Sequence, residues 1–330
     1  MPSAGRTWQG READLTADGT EGGTKGDRGS EGCRLNVRVH NGYGPSTWST
    51  DQAHISPSRA LVLGGGGATG IGWMGGLIHG LRELGVELGT ADTVFGTSAG
   101  SVVGARLRLS TPREMSMARL EGREPLKMGS LGVGDGARFM RAALSRSREH
   151  GRSLIGRAAL KAHTSTEEEF VATVAADLAD AEWPEGRLVL TTIDAATGEL
   201  TLFTNDSGVP LDLAVTASCS VPGVFPPITI RGRHYVDGGV RSAANVDLAV
   251  GHDVVLTFAP IPLGARRWDW PGAQARRLRD HSRTLVIVPD GRARSMIGLN
   301  PLDITKAPIS VTAGEQQAER VYERVAKLWE

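Results

Sequence analysis

Cysteine is nearly absent from this chain, with Cys33 and Cys219 the only two among 330 residues. A pair so widely separated excludes a disulfide framework and matches none of the usual paired metal-ligand spacings, which suits a reducing, cytoplasmic setting and leaves no metal site to expect. Net charge is lacking too, because 37 Lys and Arg balance 37 Asp and Glu. Without a global positive field, nucleic acid is not an expected partner. No apolar run reaches the roughly 18 residues of a membrane-spanning helix. Nor does the N-terminus carry an apolar core followed by a small-residue cleavage site. Residues 1–56 are short of core-forming side chains: Met1, Trp8, Leu15, Leu35, Val37, Val39, Trp48 and Ile55 are their only large aliphatic, Trp or Met residues. So little apolar surface cannot offset the entropy of ordering. The segment is expected to be a disordered tail, with the true translation start lying later and the folded domain spanning residues 57–330.

Glycine, by contrast, is plentiful and clustered. The stretch LVLGGGGATGIGW, Leu61 to Trp73, sets four consecutive glycines after an apolar run. Ala60 to Leu63 predict a short buried strand, while Ile71, Met74, Leu77, Ile78, Leu81 and Leu84 recur on one helical face. A glycine loop joining a strand to a helix N-terminus leaves backbone N–H groups unpaired at the positive end of the helix dipole, which favours an anion. Thr93 to Gly96 predict a second strand running into a second helix. Further helices are expected behind the capping patterns Ser165/Glu168 and Thr312/Glu315. RLVLTTID and ELTLFT around AATG predict a hairpin, and Val254–Phe258 and Thr284–Val288 predict buried strands. This alternation implies an α/β fold with a central, largely parallel sheet flanked by helices.

Three short patterns can carry chemistry. GTSAG, Gly96 to Gly100, fits the G-x-S-x-G turn that lifts a serine hydroxyl above a sheet, although Ser98 could equally be a plain helix cap. A serine nucleophile needs a base, and Asp237 in YVDGGV, followed by Gly238 and Gly239, is the best candidate. A simple hairpin turn is the alternative there. Gly65, Gly67 and Gly70 also satisfy the dinucleotide pattern G-x-G-x-x-G, but the acidic residue expected at the end of a following strand is missing, with only Glu87 or Asp92 nearby and both ahead of the next strand. His79, His150, His163, His234, His252 and His281 are weighed as third members of a triad, and none stands in a recognisable setting. Residues 138–161 hold Arg138, Arg141, Arg146, Arg148, Arg152, Arg157 and Lys161 among apolar residues. Such a stretch can meet an anionic membrane surface or form a solvated helical face.

A glycine loop, then GTSAG, then DGG, in that order and each at a strand end, resembles the patatin-like phospholipases and acyl hydrolases, as does SCSVPGVFPP, Ser218 to Pro227. The resemblance runs from about Ala60 to the C-terminus. It implies a patatin-like three-layer fold, with residues 57–330 as an acyl hydrolase domain that cleaves ester bonds of phospholipids or neutral acyl esters without a cofactor. It also implies Ser98 as nucleophile, Asp237 as general base, and the amides of Gly65, Gly66 and Gly67 as an oxyanion hole, with Gly70, Gly96, Gly100, Gly238 and Gly239 supporting them. The alternative is a catalytically weak lipid-binding or scaffold protein that keeps the fold. One departure stands out: the family usually has Arg or Lys just before the last glycine of the loop, and this chain has Thr69. Restoring Arg there is expected to favour phosphorylated substrates.

Overall fold

A computed structural model describes residues 37–39, 57–109, 145, 147–175, 178, 181–264 and 266–330. Among them the strands are β1 (Val37–Val39), β2 (Arg59–Leu63), β3 (Thr93–Gly96), β4 (Arg187–Asp194), β5 (Leu200–Phe203), β6 (Ile228–Ile230), β7 (Arg233–Asp237), β8 (Val254–Phe258) and β9 (Arg283–Ile287). The helices are α1 (Gly67–Glu83), α2 (Ala99–Arg108), α3 (Arg148–Ala159), α4 (Glu167–Ala175), α5 (Leu211–Ser218), α6 (Pro271–Leu278), α7 (Gly291–Ile297) and α8 (Ala307–Trp329).

The apolar runs become strands because both of their faces can be covered. Ala60, Leu61, Val62 and Leu63 of β2 are all fully buried. Leu61 and Leu63 join the core built with Trp73, Met74 and Leu77 of α1 and Val321 and Val325 of α8. Ala60 and Val62, pointing the other way in the pleat, meet Ala275 and Leu278 of α6. Helices on both faces of one sheet make three layers. The sheet order is β1-β5-β4-β3-β2-β8-β9, with β4, β3, β2, β8 and β9 mutually parallel. The expected hairpin is β4 and β5, paired antiparallel from Leu190 with Phe203 to Ile193 with Leu200.

Strand β4 positions the candidate site through its two partners. Its first half pairs in parallel with β3, Thr93 to Gly96 against Arg187 to Leu190. Beyond Leu190 the same edge is taken over by β7, which runs the other way and sets Asp237 opposite Thr192. The end of β3 and the end of β7 therefore face each other on one edge of β4.

Three details depart from the expectations. Val37–Val39 lie inside the stretch expected to stay unstructured, yet they form a strand in parallel with Leu200–Leu202. Alternating valines suit a strand, and the edge of β5 offers unpaired backbone groups; the rest of residues 1–56 lies outside the described residues. The capping box of α4 sits one residue late, with Thr166 Oγ1 accepting from Glu169 N at 3.2 Å and Glu169 Oε2 accepting from Thr166 N at 3.1 Å. Helix α8 begins at Ala307, five residues before Thr312, with a proline in its first turn. Pro308 was the start signal there, since proline's missing N–H costs nothing in a first turn.

Candidate active site

Strand β3 ends at Gly96, and Ser98 follows in a sharp turn with φ 54° and ψ −122°, an unusual conformation for a residue with a side chain. Helix α2 starts at once behind it. Only glycine allows this crowding, since a Cβ at Gly100 would lie 2.0 Å from Leu63 O and one at Gly96 would lie 2.7 Å from Ser101 Cα. Ser98 occupies the cap position of α2 but its side chain makes no capping hydrogen bond. The plain helix-cap alternative thus fails, and the hydroxyl is free to face elsewhere. The strained turn is held from outside: Ser98 N donates to Ser218 Oγ at 3.1 Å, and Ser218 Oγ donates to Thr191 O at 2.8 Å.

The nearby acidic side chain is Asp237, whose charged form Ser98 favours. Asp237 is only 4% exposed. Burial raises its pKa from 3.8 to about 6, partly opposed by the hydrogen bonds from Gly239 N and Ser98. Gly239 N donates to Oδ1 at 2.6 Å, and Asp237 N donates to Ser220 O at 2.9 Å. The chain does not form a hairpin after the aspartate; it enters a 3-10 turn, Gly238–Val240. Gly238 is needed for close approach to β4, because a Cβ there would lie 2.2 Å from Thr191 Oγ1.

The glycine loop joins β2 to α1 beside this pair. A Cβ at Gly65 would sit 3.3 Å from Ser98 Cβ. The expectation that Gly65 offers its amide to an oxyanion is not met: its N–H already donates to Ala243 O at 2.7 Å. Gly65 instead serves by leaving space over Ser98. The N–H groups of Gly66 and Gly67 find no acceptor among the described residues, and they open the 17-residue helix α1. They meet the requirements of an anion site at a helix N-terminus. Gly67 has φ 58°, and a Cβ on it would lie 2.4 Å from Pro301 O. Gly70 closes the loop by donating its N–H to Gly66 O at 2.8 Å.

Thr69 has a different place from the one a cation would need. It is 2% exposed, its N–H donates to Pro301 O at 3.1 Å, and its hydroxyl reaches Pro301 O at 3.4 Å. A longer side chain at this position would crowd Pro301, whose carbonyl accepts from Thr69. The dinucleotide alternative also falls, because Asp92 lies before β3, where its Oδ2 accepts from Arg59 N at 2.6 Å, at the end of the sheet opposite the glycine loop.

Asn245 was not singled out from sequence. It is fully buried in the left-handed region, and its Nδ2 donates to Thr97 Oγ1 at 3.1 Å, Gly238 O at 3.3 Å and Ser242 O at 2.9 Å. One amide thus ties the residue before Ser98 to the residue after Asp237. Arg241 bonds its Oδ1 at 2.6 Å and pairs with Asp247. An Asn eight residues beyond an aspartate is a weak signal, and only the fold gives it meaning. Among the described residues no histidine bonds Ser98 or Asp237. His252 contacts Thr93 Oγ1 at 3.0 Å at the far end of the sheet, and His79 faces Glu315 at 3.2 Å.

Of the basic stretch 138–161, Arg138, Arg141 and Arg146 lie outside the described residues. Arg152 is largely buried, donating to Gly198 O at 2.6 Å and pairing with Glu149, and Arg157 donates to Ala196 O at 3.3 Å. Those two guanidiniums brace the β4–β5 turn. No helix among the described residues is long and apolar enough to cross a membrane.

Solved structures with a related shape include VipD from Legionella pneumophila, at 13% identity and TM-score 0.39, covering 82% of this chain and 67% of that one. The ExoU–SpcU complex of Pseudomonas aeruginosa matches at 18% identity and TM-score 0.33, covering 83% of this chain and 52% of the other. The chain spans about half the length of that ExoU match, and likeness at this level says nothing of shared chemistry. A family model is decisive where these are not: the patatin-like phospholipase model matches residues 61–250, which takes in the glycine loop, the Ser98 turn and Asp237 and exceeds half of the chain, so the protein belongs to the patatin-like phospholipase family.

Proposed function

We propose that this protein is a serine acyl hydrolase that cleaves ester bonds of lipids through Ser98 and Asp237. The observation that carries the reading is that β3 and β7, on one edge of β4, bring the Ser98 turn and the buried Asp237 to the same end of the sheet, beside two unpaired amides. Ser98 Oγ attacks the acyl carbonyl carbon while its proton passes to Asp237. The carbonyl oxygen becomes an oxyanion received by the N–H groups of Gly66 and Gly67. The tetrahedral intermediate then breaks its bond to the alkoxy oxygen, which takes the proton from Asp237 and leaves as an alcohol. Water repeats the sequence on the acyl-enzyme and releases the fatty acid.

A carboxylate at its ordinary pKa near 4 is a feeble base for a hydroxyl. The raised pKa of Asp237, about 6, brings it nearer the working pH and supports this role. The helix dipole behind Gly66 and Gly67 adds positive potential where the oxyanion forms. Residues 57–330 make up the hydrolase domain in this reading, with β1 added at its edge.

A fluorophosphonate probe tests it directly. Covalent label mapped to Ser98 in folded protein, and lost in Ser98→Ala, is the expected result. Label on another serine, or none, would overturn the reading and favour a non-catalytic lipid-binding protein with the same fold.

A further inference from the structure

Resting on the lipid-hydrolase reading, we propose that the loops after β8 and after α7 form a bilayer-docking surface around the entrance to the Ser98 site, recognising a membrane with anionic headgroups. Both loops touch the glycine loop directly. A Cβ at Gly66 would meet Pro260 Cβ at 2.5 Å, and one at Gly67 would meet Pro301 O at 2.4 Å. The β8 loop then runs on to Asp269, whose carbonyl accepts from Ser242 Oγ at 3.0 Å, just beyond Asp237 in the chain. It therefore borders the site from the oxyanion side to the base side.

These two loops carry exposed apolar side chains out of proportion to their length. Of the eight large hydrophobic residues exposed among the described residues, Ile261, Leu263, Trp268 and Leu299 lie here, with Leu263 at 54% exposure and Leu299 fully open. Single exposed apolar side chains are ordinary; four on two neighbouring loops are not. The charges beside them match an anionic lipid surface. The guanidiniums of Arg148 and Arg266 each stand 5.4 Å from the Trp268 ring, and that of Arg267 stands 5.8 Å from the Trp270 ring. Arg148, Arg266, Arg267 and Lys306 stand in and beside the two loops against Asp269 and Asp303, so cations outnumber anions in the patch. Tryptophan and arginine side by side suit the headgroup level, where an apolar body and a polar tip are both satisfied. Leucines placed further out would enter the acyl boundary. Docking there would bring the ester bond of a lipid to Ser98 without taking the whole molecule through water.

The test uses the full chain carrying Ser98→Ala, so that vesicles are not consumed. Partitioning is measured onto phosphatidylcholine vesicles with and without phosphatidylglycerol. Binding that strengthens with phosphatidylglycerol and weakens at least about tenfold in Leu263→Asp/Leu299→Asp supports the proposal. Leu84→Asp/Val250→Asp, altered at the opposite end of the sheet, should bind like the parent. In chains that keep Ser98, Leu263→Asp/Leu299→Asp should hydrolyse a soluble short-chain ester within about twofold of the unaltered enzyme, because neither side chain touches reacting groups. No vesicle binding, binding indifferent to Leu263→Asp/Leu299→Asp, or equal loss in the control pair would overturn the surface while leaving soluble-ester hydrolysis to stand. A fall in molecular mass of Leu263→Asp/Leu299→Asp with unchanged vesicle binding would assign this face to a second copy of the chain and likewise overturn it. Normal docking by a protein that hydrolyses no ester would instead sink the hydrolase reading and leave the surface intact.

Discussion

Replacing Asp237 by Asn should cost activity and raise stability together, and both follow from its burial. The native carboxyl holds its proton up to about pH 6, whereas in the unfolded chain it releases it near 3.8. Between those values the folded state binds more protons than the unfolded one, so stability falls as pH rises through that window. Above pH 6 the full penalty of a buried charge is present. The gap from 3.8 to about 6, at about 1.4 kcal/mol per tenfold, corresponds to about 3 kcal/mol. Asparagine keeps the shape, its Oδ1 can still accept from Gly239 N, and its NH₂ can donate to Ser98 Oγ, so few new groups go unpaired. Denaturant unfolding at pH 8 should therefore show Asp237→Asn more stable by up to about 3 kcal/mol, with the difference vanishing below about pH 4. Ester turnover should drop by about 10²–10⁴-fold, as for a lost general base. In the unaltered protein kcat/KM should climb as pH rises through about 6, as the carboxyl loses its proton. A variant that is less stable at pH 8, or an enzyme whose kcat/KM is flat between pH 5 and 7, would refute the assignment of Asp237 as a buried, raised-pKa base.

Thr69→Arg should destabilise the fold by more than about 2 kcal/mol in thermal or denaturant melts, since a large cation would enter a closed space beneath Pro301; a well-folded variant with increased phospholipid preference would contradict that placement. Asn245→Ala should lower kcat more than KM and cost about 1–3 kcal/mol of stability by leaving the buried Ser242 carbonyl without its Asn245 donor, whereas unchanged kcat in folded protein would show that the junction does not position Ser98 and Asp237. Alanine at His79, His163, His252 or His281 should each retain most esterase activity, and abolition by any one of them in folded protein would restore the triad alternative.

Much of the site was legible because its parts are local. Gly96, Ser98 and Gly100 must be close in sequence to build one turn, and Asp237 with Gly238 and Gly239 to build another, so short patterns mark both. The buried strands β3 and β8 declared themselves as apolar runs bounded by turn residues, and their predicted limits coincide with those observed. Tertiary structure alone decided which amides are free. Gly65, Gly66 and Gly67 look alike in sequence, yet the first is taken by Ala243, a residue remote in the chain. It also decided that Thr69 lies beneath Pro301 and that Asn245 bridges Thr97 and Gly238. Above all, Ser98 and Asp237 come to the same end of the sheet because β3 stops and β7 takes over the same edge of β4. Local chemistry can specify a turn within a few residues, but hydrogen bonds and close approaches between distant segments exist only once the sheet has brought those segments together.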